Sequence, residues 1–89
     1  MSASEAAFMQ PEDIIRLHAN LIQGVLGTYR HGVIIPMNEP IVMGIPIHNF
    51  ELALIDLKRR GLIKIKVIID NSRAVWFIQL SNTTKHHRE

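Results

Sequence analysis

Eighty-nine residues with ten Lys and Arg against eight Asp and Glu, 47% hydrophobic residues and no cysteine describe one small domain near the lower size limit for a single core. Neither a disulfide nor a cysteine-held metal can staple it, so the core has to be aliphatic. A mean hydropathy of +0.12 is high for so short a soluble chain, which leaves apolar surface for a partner, either a second copy in a homodimer or another protein. The opening MSASEAAFMQ has neither the basic start nor the long apolar run of a secretion signal, and no later stretch is apolar enough to span a bilayer. The expectation is a cytoplasmic protein with no membrane association.

In chain order, residues 1–10 read as a flexible arm, whose Phe8 and Met9 could dock on the core or on a second subunit. Gln10 and Pro11 open a helix with Glu12 and Asp13 in its first turn, where carboxylates favour the positive end of the helix dipole. Ile14, Leu17, Leu21, Val25 and Thr28 trace one face of this helix, and Ile15, Ala19, Ile22, Leu26 and Tyr29 trace a second. An apolar stripe that wide either wraps the longest helix in a small core or serves as a dimer seam. Gly24 and Gly27 each weaken the helix by roughly 1 kcal/mol relative to alanine. They therefore imply either close packing of another backbone or an early stop, and His31 with Gly32 marks the end.

Val33, Ile34 and Ile35 make a short strand that Pro36 ends or confines to an edge. Between Asn38 and Met43 a single helical turn is expected, with Asn38 as its cap, Pro40 in the first turn and Gly44 closing it in a left-handed conformation. From Pro46 a second full helix follows, with Phe50, Ala53, Leu54 and Leu57 at the spacing of a buried face and Gly61 as its stop.

After Gly61 the hydrophobic period changes from about 3.6 to 2, which signals a two-stranded hairpin. Ile63, Ile65, Val67 and Ile69 share one face of its first strand, and Lys64, Lys66 and Ile68 the other. Asp70, Asn71, Ser72 and Arg73 supply the turn. On the return strand Trp76, Ile78 and Leu80 share the core face, and Val75, Phe77 and Gln79 face outward. Residues 82–89 read as a disordered polar tail, which leaves 11–81 as the folded domain.

Charge is uneven along the chain. Residues 1–57 carry two cations against six acids, and residues 58–89 carry eight against two. Lys58, Arg59, Arg60, Lys64, Lys66 and Arg73 could form a basic rim from the helix end along the hairpin, suited to phosphates through counterion release. The ordinary alternative is that the arginines complement the helix dipole and the lysines guard a hairpin edge against aggregation.

Residues 11–81 resemble the winged helix-turn-helix superfamily, through Gly44-Ile45-Pro46, Phe50, Ala53, Leu54, Leu57, Gly61-Leu62-Ile63, Arg73 and Ile78-Gln79-Leu80-Ser81. The resemblance implies an α+β fold: helix 1, a short strand, a short irregular or one-turn helix 2, helix 3 and a two-stranded wing hairpin. It also implies a small dimeric transcription or replication regulator that binds double-stranded DNA, as many prokaryotic members of that superfamily do. Residues 47–60 would be the reading helix and 62–80 the wing. His48 and Asn49 would then read base edges, while Lys58, Arg59, Arg60, Lys64, Lys66 and Arg73 would hold phosphates. Glu51 and Asp56 would repel the backbone unless paired, for example Asp56 with Arg59 or Arg60.

The same fold serves elsewhere as a protein-interaction module. Leu52, Ile55, Ile68, Val75 and Phe77 would then form the partner interface. Five histidines do not make a metal centre, because His18, His31 and His48 are far apart in sequence and His86-His87 lies in the polar tail. With no nucleophile constellation, glycine-rich phosphate loop or cofactor motif, the expectation is a protein that is not an enzyme and uses no cofactor.

Overall fold

The computed structural model describes residues 10–81; the expected arm and tail lie outside them, apart from Gln10. Helix α1 spans Pro11–Thr28, strand β1 Val33–Pro36, β2 Ile41–Val42, β3 Ile45–Pro46, helix α2 Ile47–Arg59, β4 Ile63–Asp70 and β5 Arg73–Leu80. The architecture is α+β, with a three-stranded antiparallel sheet ordered β1-β5-β4 and a separate two-stranded hairpin, β2-β3.

At the start of α1, Pro11 occupies the first turn, and the Gln10 backbone N–H donates to the Asp13 carboxylate at 3.3 Å. Of the two apolar faces, the core takes Ala19, Ile22 and Leu26. The other keeps Leu17 and Leu21 in solvent, 55% and 44% exposed. Gly24 and Gly27 neither end the helix nor admit a neighbour, since a Cβ at either position would meet nothing within 4 Å. The helix stops at Thr28, and Gly32 (φ +97°) turns the chain into β1.

The helical turn expected over residues 38–43 is absent. The chain instead forms a tight hairpin, pairing Ile41 with Pro46 and Val42 with Ile45 around Met43 and Gly44, both at positive φ (55° and 77°). Two residues in the left-handed region are what a primed hairpin turn requires, and Gly44 adopts it without a Cβ penalty. The hairpin also lets β-branched Val42 and Ile45 reach the core, where both are buried. The Ile47 N–H donates to the Pro40 carbonyl at 2.9 Å and closes the loop, so α2 leaves directly from a strand.

Helix α2 buries Phe50, Ala53, Leu54 and Leu57, the face read from its spacing. It ends at Gly61 (φ +74°), whose N–H donates to the Lys58 carbonyl at 2.9 Å while the Leu62 N–H donates to Leu57 at 3.0 Å. That paired bonding satisfies carbonyls the helix leaves open and sends the chain straight into β4. Asn71 and Ser72, both at positive φ, turn β4 into β5 with Asp70 opposite Arg73.

Both helices pack on one face of the sheet, α1 against β5 and α2 against β4, and also against each other. Ile35, Ile63 and Ile78 close the core from the sheet side. Half-buried Trp76 packs against it, its ring centroid 6.0 Å from that of Phe50. Val67 and Ile69 share the core-facing side of β4 but lie outside the core, 61% and 72% exposed. Eight strand residues reach about 27 Å, whereas the thirteen of α2 span about 20 Å, so β4 runs beyond the helix that covers it.

Candidate functional site

The candidate residues of α2 divide around its axis. His48, Ile55, Lys58 and Arg59 are exposed, while Leu52 and Asn49 are half-buried. Asn49 lies on the flank shared with Ala53 and Asp56, and that flank turns toward α1, as the contact between Arg16 and Asp56 shows. Of the two residues expected to read base edges, only His48 therefore stands on the outward face.

Arg60 is engaged within the fold. Its Nε and Nη2 donate to Asp56 Oδ2 at 3.1 and 2.7 Å, and Arg16 Nε of α1 approaches the same oxygen at 3.4 Å. Burial raises the Asp56 pKa, but the hydrogen bonds and charges of Arg60 and Arg16 outweigh it and hold the carboxyl below its ordinary value. Asp56 thus takes the i,i+4 partner expected for it and ties the end of α2 to α1.

The hairpin cations lie elsewhere. Ile63 and Ile65 face the helices, so strand alternation sends exposed Lys64 and Lys66 to the opposite side of the sheet. Lys64 stands across from Gln79, and Lys66 across from Phe77. Arg73 is on that same outer side, at the hairpin tip, beside a small hollow formed with Pro36, Met37 and Asn38. The basic rim expected to be continuous is consequently split, with Lys58 and Arg59 on α2 and Lys64, Lys66 and Arg73 behind the sheet.

The apolar candidates also fall into two places. Ile68, Val75 and Phe77 belong to the outer side of the sheet. Val75 is only 4% exposed there, flanked in register by Pro36 and Ile68. Phe77 is half-buried with its ring against the backbone of Gly32. Leu52 and Ile55 belong to α2, beside Ile15 and Arg16 of α1.

Between α2 and β4 runs an apolar cleft of about 340 Å³, walled by Leu54 and Ile55 on one side and Ile65 and Trp76 on the other, with Glu51 and Lys58 at its lip. Val67 is the direct cross-strand partner of Trp76, and Ile69 follows it on the same side, so the apolar wall continues out along the hairpin. Sequence reasoning placed Val67 and Ile69 on one face with Ile63 and Ile65 but did not single out their exposure. The available signal was strand length, since an eight-residue strand outruns a thirteen-residue helix.

A larger hollow of about 520 Å³ lies away from all of these residues, lined by Gly27, Arg30, His31 and Ser81. His18 Nδ1 is buried with no hydrogen-bond partner among the described residues, and no group of three His, Asp or Glu side chains among them could hold a metal ion. No described helix is long and apolar enough to cross a membrane. Compared with known proteins, the chain matches no family model, no curated protein and no solved structure.

Proposed function

We propose that this chain is a winged-helix-type protein-interaction module whose partner fills the cleft between α2 and β4. The winged-helix assignment draws on the sheet order, with β1 added to the outside of the hairpin's return strand. In that scheme α2 stands in the position of the reading helix, β4 and β5 form the wing, and the β2-β3 hairpin replaces the middle helix.

The observation that carries the functional reading is the exposure of Ile55, Val67 and Ile69 around the cleft that contains Trp76. A surface built to grip duplex DNA presents cations between helix and wing, because phosphate neutralisation supplies most of the affinity. Here that surface is aliphatic and aromatic, and Lys64 and Lys66 face away from it. Covering it removes apolar area from water at roughly 25 cal/mol per Å², while Glu51 and Lys58 at the lip give a partner polar groups by which to orient.

A second reading, a DNA-binding regulator, is favoured by one specific observation. Lys58, Arg59, Lys64, Lys66 and Arg73 are exposed, and none forms an ion pair with a carboxylate among the described residues. These cations could bind phosphates from two sides of the molecule, with His48 near a base edge.

Trp76 is the chain's single tryptophan and lines the cleft, so its emission reports occupancy directly. Peptides selected from a displayed library against the full chain are expected to move Trp76 emission to shorter wavelength. They are expected to lose about tenfold or more in affinity for Ile55→Asp or Val67→Asp. A random-sequence duplex is expected not to bind at low salt. Salt-dependent duplex binding that is lost in the Lys64→Glu/Lys66→Glu variant and kept in Ile55→Asp would replace this reading with the second.

A further inference from the structure

We infer that the partner at the cleft is a second copy of this chain, joined edge to edge through β4 in antiparallel register about a two-fold axis at Val67. The inference rests on the reading of the cleft as an interaction site and names its occupant.

Strand β4 is an open edge. The sheet order β1-β5-β4 leaves its second side without a neighbouring strand among the described residues. Its pairing with β5 runs unbroken from Ile63 opposite Leu80 to Asp70 opposite Arg73, with no bulge and no proline. The sheet's other edge, β1, has only four residues and ends in Pro36. A long, regular, apolar edge such as β4 is a template for another strand. The two-residue turn at Asn71 and Ser72 makes Asp70 and Arg73 a hydrogen-bonded pair, and bonding alternates from there along the hairpin. The backbone N–H and C=O groups of Ile63, Ile65, Val67 and Ile69 therefore point away from β5, toward the position of an added strand.

Charge selects the register. An antiparallel copy centred on Val67 sets Lys64 opposite the partner's Asp70, twice by symmetry, and Lys66 opposite the partner's Ile68. Neither Lys64 nor Asp70 forms an ion pair among the described residues. Centring on Lys66 would set that lysine against itself, and centring on Ile65 would set Lys64 against Lys66. Like charges directly opposite each other destabilise a strand pair. Centring on Ile68 would pair Lys66 with Asp70 but place apolar Ile65 against Asn71 of the turn. The lysines that oppose neighbouring registers thus favour this one.

Burial selects the same register. Helix α2 covers the first half of β4, at Ile63 and Ile65, and leaves Val67 and Ile69 exposed. Rotation about Val67 lays the covered half of each copy beside the uncovered half of the other. Ile69 then arrives opposite the partner's Ile65, a residue that lines the cleft with Leu54 and Ile55. Each protomer offers one projecting isoleucine and one apolar cleft to receive it, the self-complementary arrangement of a two-fold dimer.

The test uses the full chain, which has no cysteine of its own. Sedimentation velocity from micromolar to hundreds of micromolar is expected to show a dimer that dissociates on dilution. Ile69→Asp is expected to raise the dissociation constant about tenfold or more. Its far-UV circular dichroism spectrum should not change, because the side chain it replaces is exposed in the single chain. Under mild oxidation Lys66→Cys is expected to cross-link to Ile68→Cys in a mixture, since the two stand directly opposite. It is expected not to link to itself, because that diagonal spans about 7–8 Å. A wild-type chain that stays monomeric at the highest concentration overturns the second copy as occupant. The cleft reading survives that result if selected peptides still shift Trp76 emission, and falls with it if none bind. A dimer unaffected by Ile69→Asp overturns the β4 edge, and self-linking of Lys66→Cys in place of the mixed pair overturns the register.

Discussion

Phe77 rests on Gly32: a Cβ at residue 32 would come within 2.7 Å of the Phe77 ring. Gly32 also has φ +97°, which an L side chain rarely adopts. Two independent penalties therefore meet at one position, backbone strain and overlap with the ring. Gly32→Ala is expected to cost about 2 kcal/mol or more in urea unfolding. Combining it with Phe77→Leu is expected to cost less than the sum of the single changes, because removing the ring leaves only the backbone part. Strict additivity would mean that ring and glycine do not touch.

Gly27 behaves oppositely. It sits in regular helix, and nothing lies within 4 Å of where its Cβ would be. Gly27→Ala removes backbone freedom from the unfolded chain with no new contact to strain, so a gain of up to about 1 kcal/mol is expected. In a domain of this size that raises Tm by about 4–8 °C. An unchanged or lower Tm would show that the position is occupied in the assembled protein.

Asp56 makes stability depend on acid. Its folded pKa lies below the ordinary value of 3.8, so the folded state binds its proton less readily than the unfolded chain does. The resulting stabilisation is fully present above the unfolded pKa and disappears as pH falls through the lowered folded pKa. The side chains are partly open to water, 21% for Asp56, 31% for Arg60 and 53% for Arg16, so screening keeps the effect small. Asp56→Asn is expected to cost about 0.5–1 kcal/mol at neutral pH and nothing once the wild-type carboxyl is protonated. Urea midpoints of the two proteins measured down the acid range should converge, and a constant gap would assign the loss to packing rather than charge.

Local chemistry made much of this fold legible. Gly61 with the change from Leu54-Leu57 spacing to Ile63-Ile65 alternation located both the end of α2 and the start of β4, because the signals for cap and period coincide there. Residues 38–43 misled, since Asn38, Pro40 and Gly44 also suit a capped helical turn. The winning interaction is tertiary, the burial of Val42 and Ile45 from a two-residue hairpin. Periodicity gave α1 two apolar faces and could not choose between them, because the choice depends on where α2 docks. The expected basic rim is divided in the fold for a simpler reason. Proximity of Lys58, Lys64 and Lys66 in sequence does not survive the strand's alternation, which puts the two hairpin lysines behind the sheet.

Val67 and Ile69 test whether the overhang of β4 is structural or functional. Both lie on the core-facing side of the strand, yet they stand 61% and 72% exposed beyond the end of the core. Side chains that contribute little burial should tolerate polar replacement, and threonine keeps the β-branched shape suited to a strand. Val67→Thr with Ile69→Thr is expected to change unfolding free energy by less than about 0.5 kcal/mol per site, while weakening any ligand that shifts Trp76 emission, because Val67 is the cross-strand neighbour of that ring. Stability and binding thus separate at these two residues. A large stability loss without a binding effect would make the overhang part of the core, and leave Ile55 as the remaining exposed apolar side chain of the cleft.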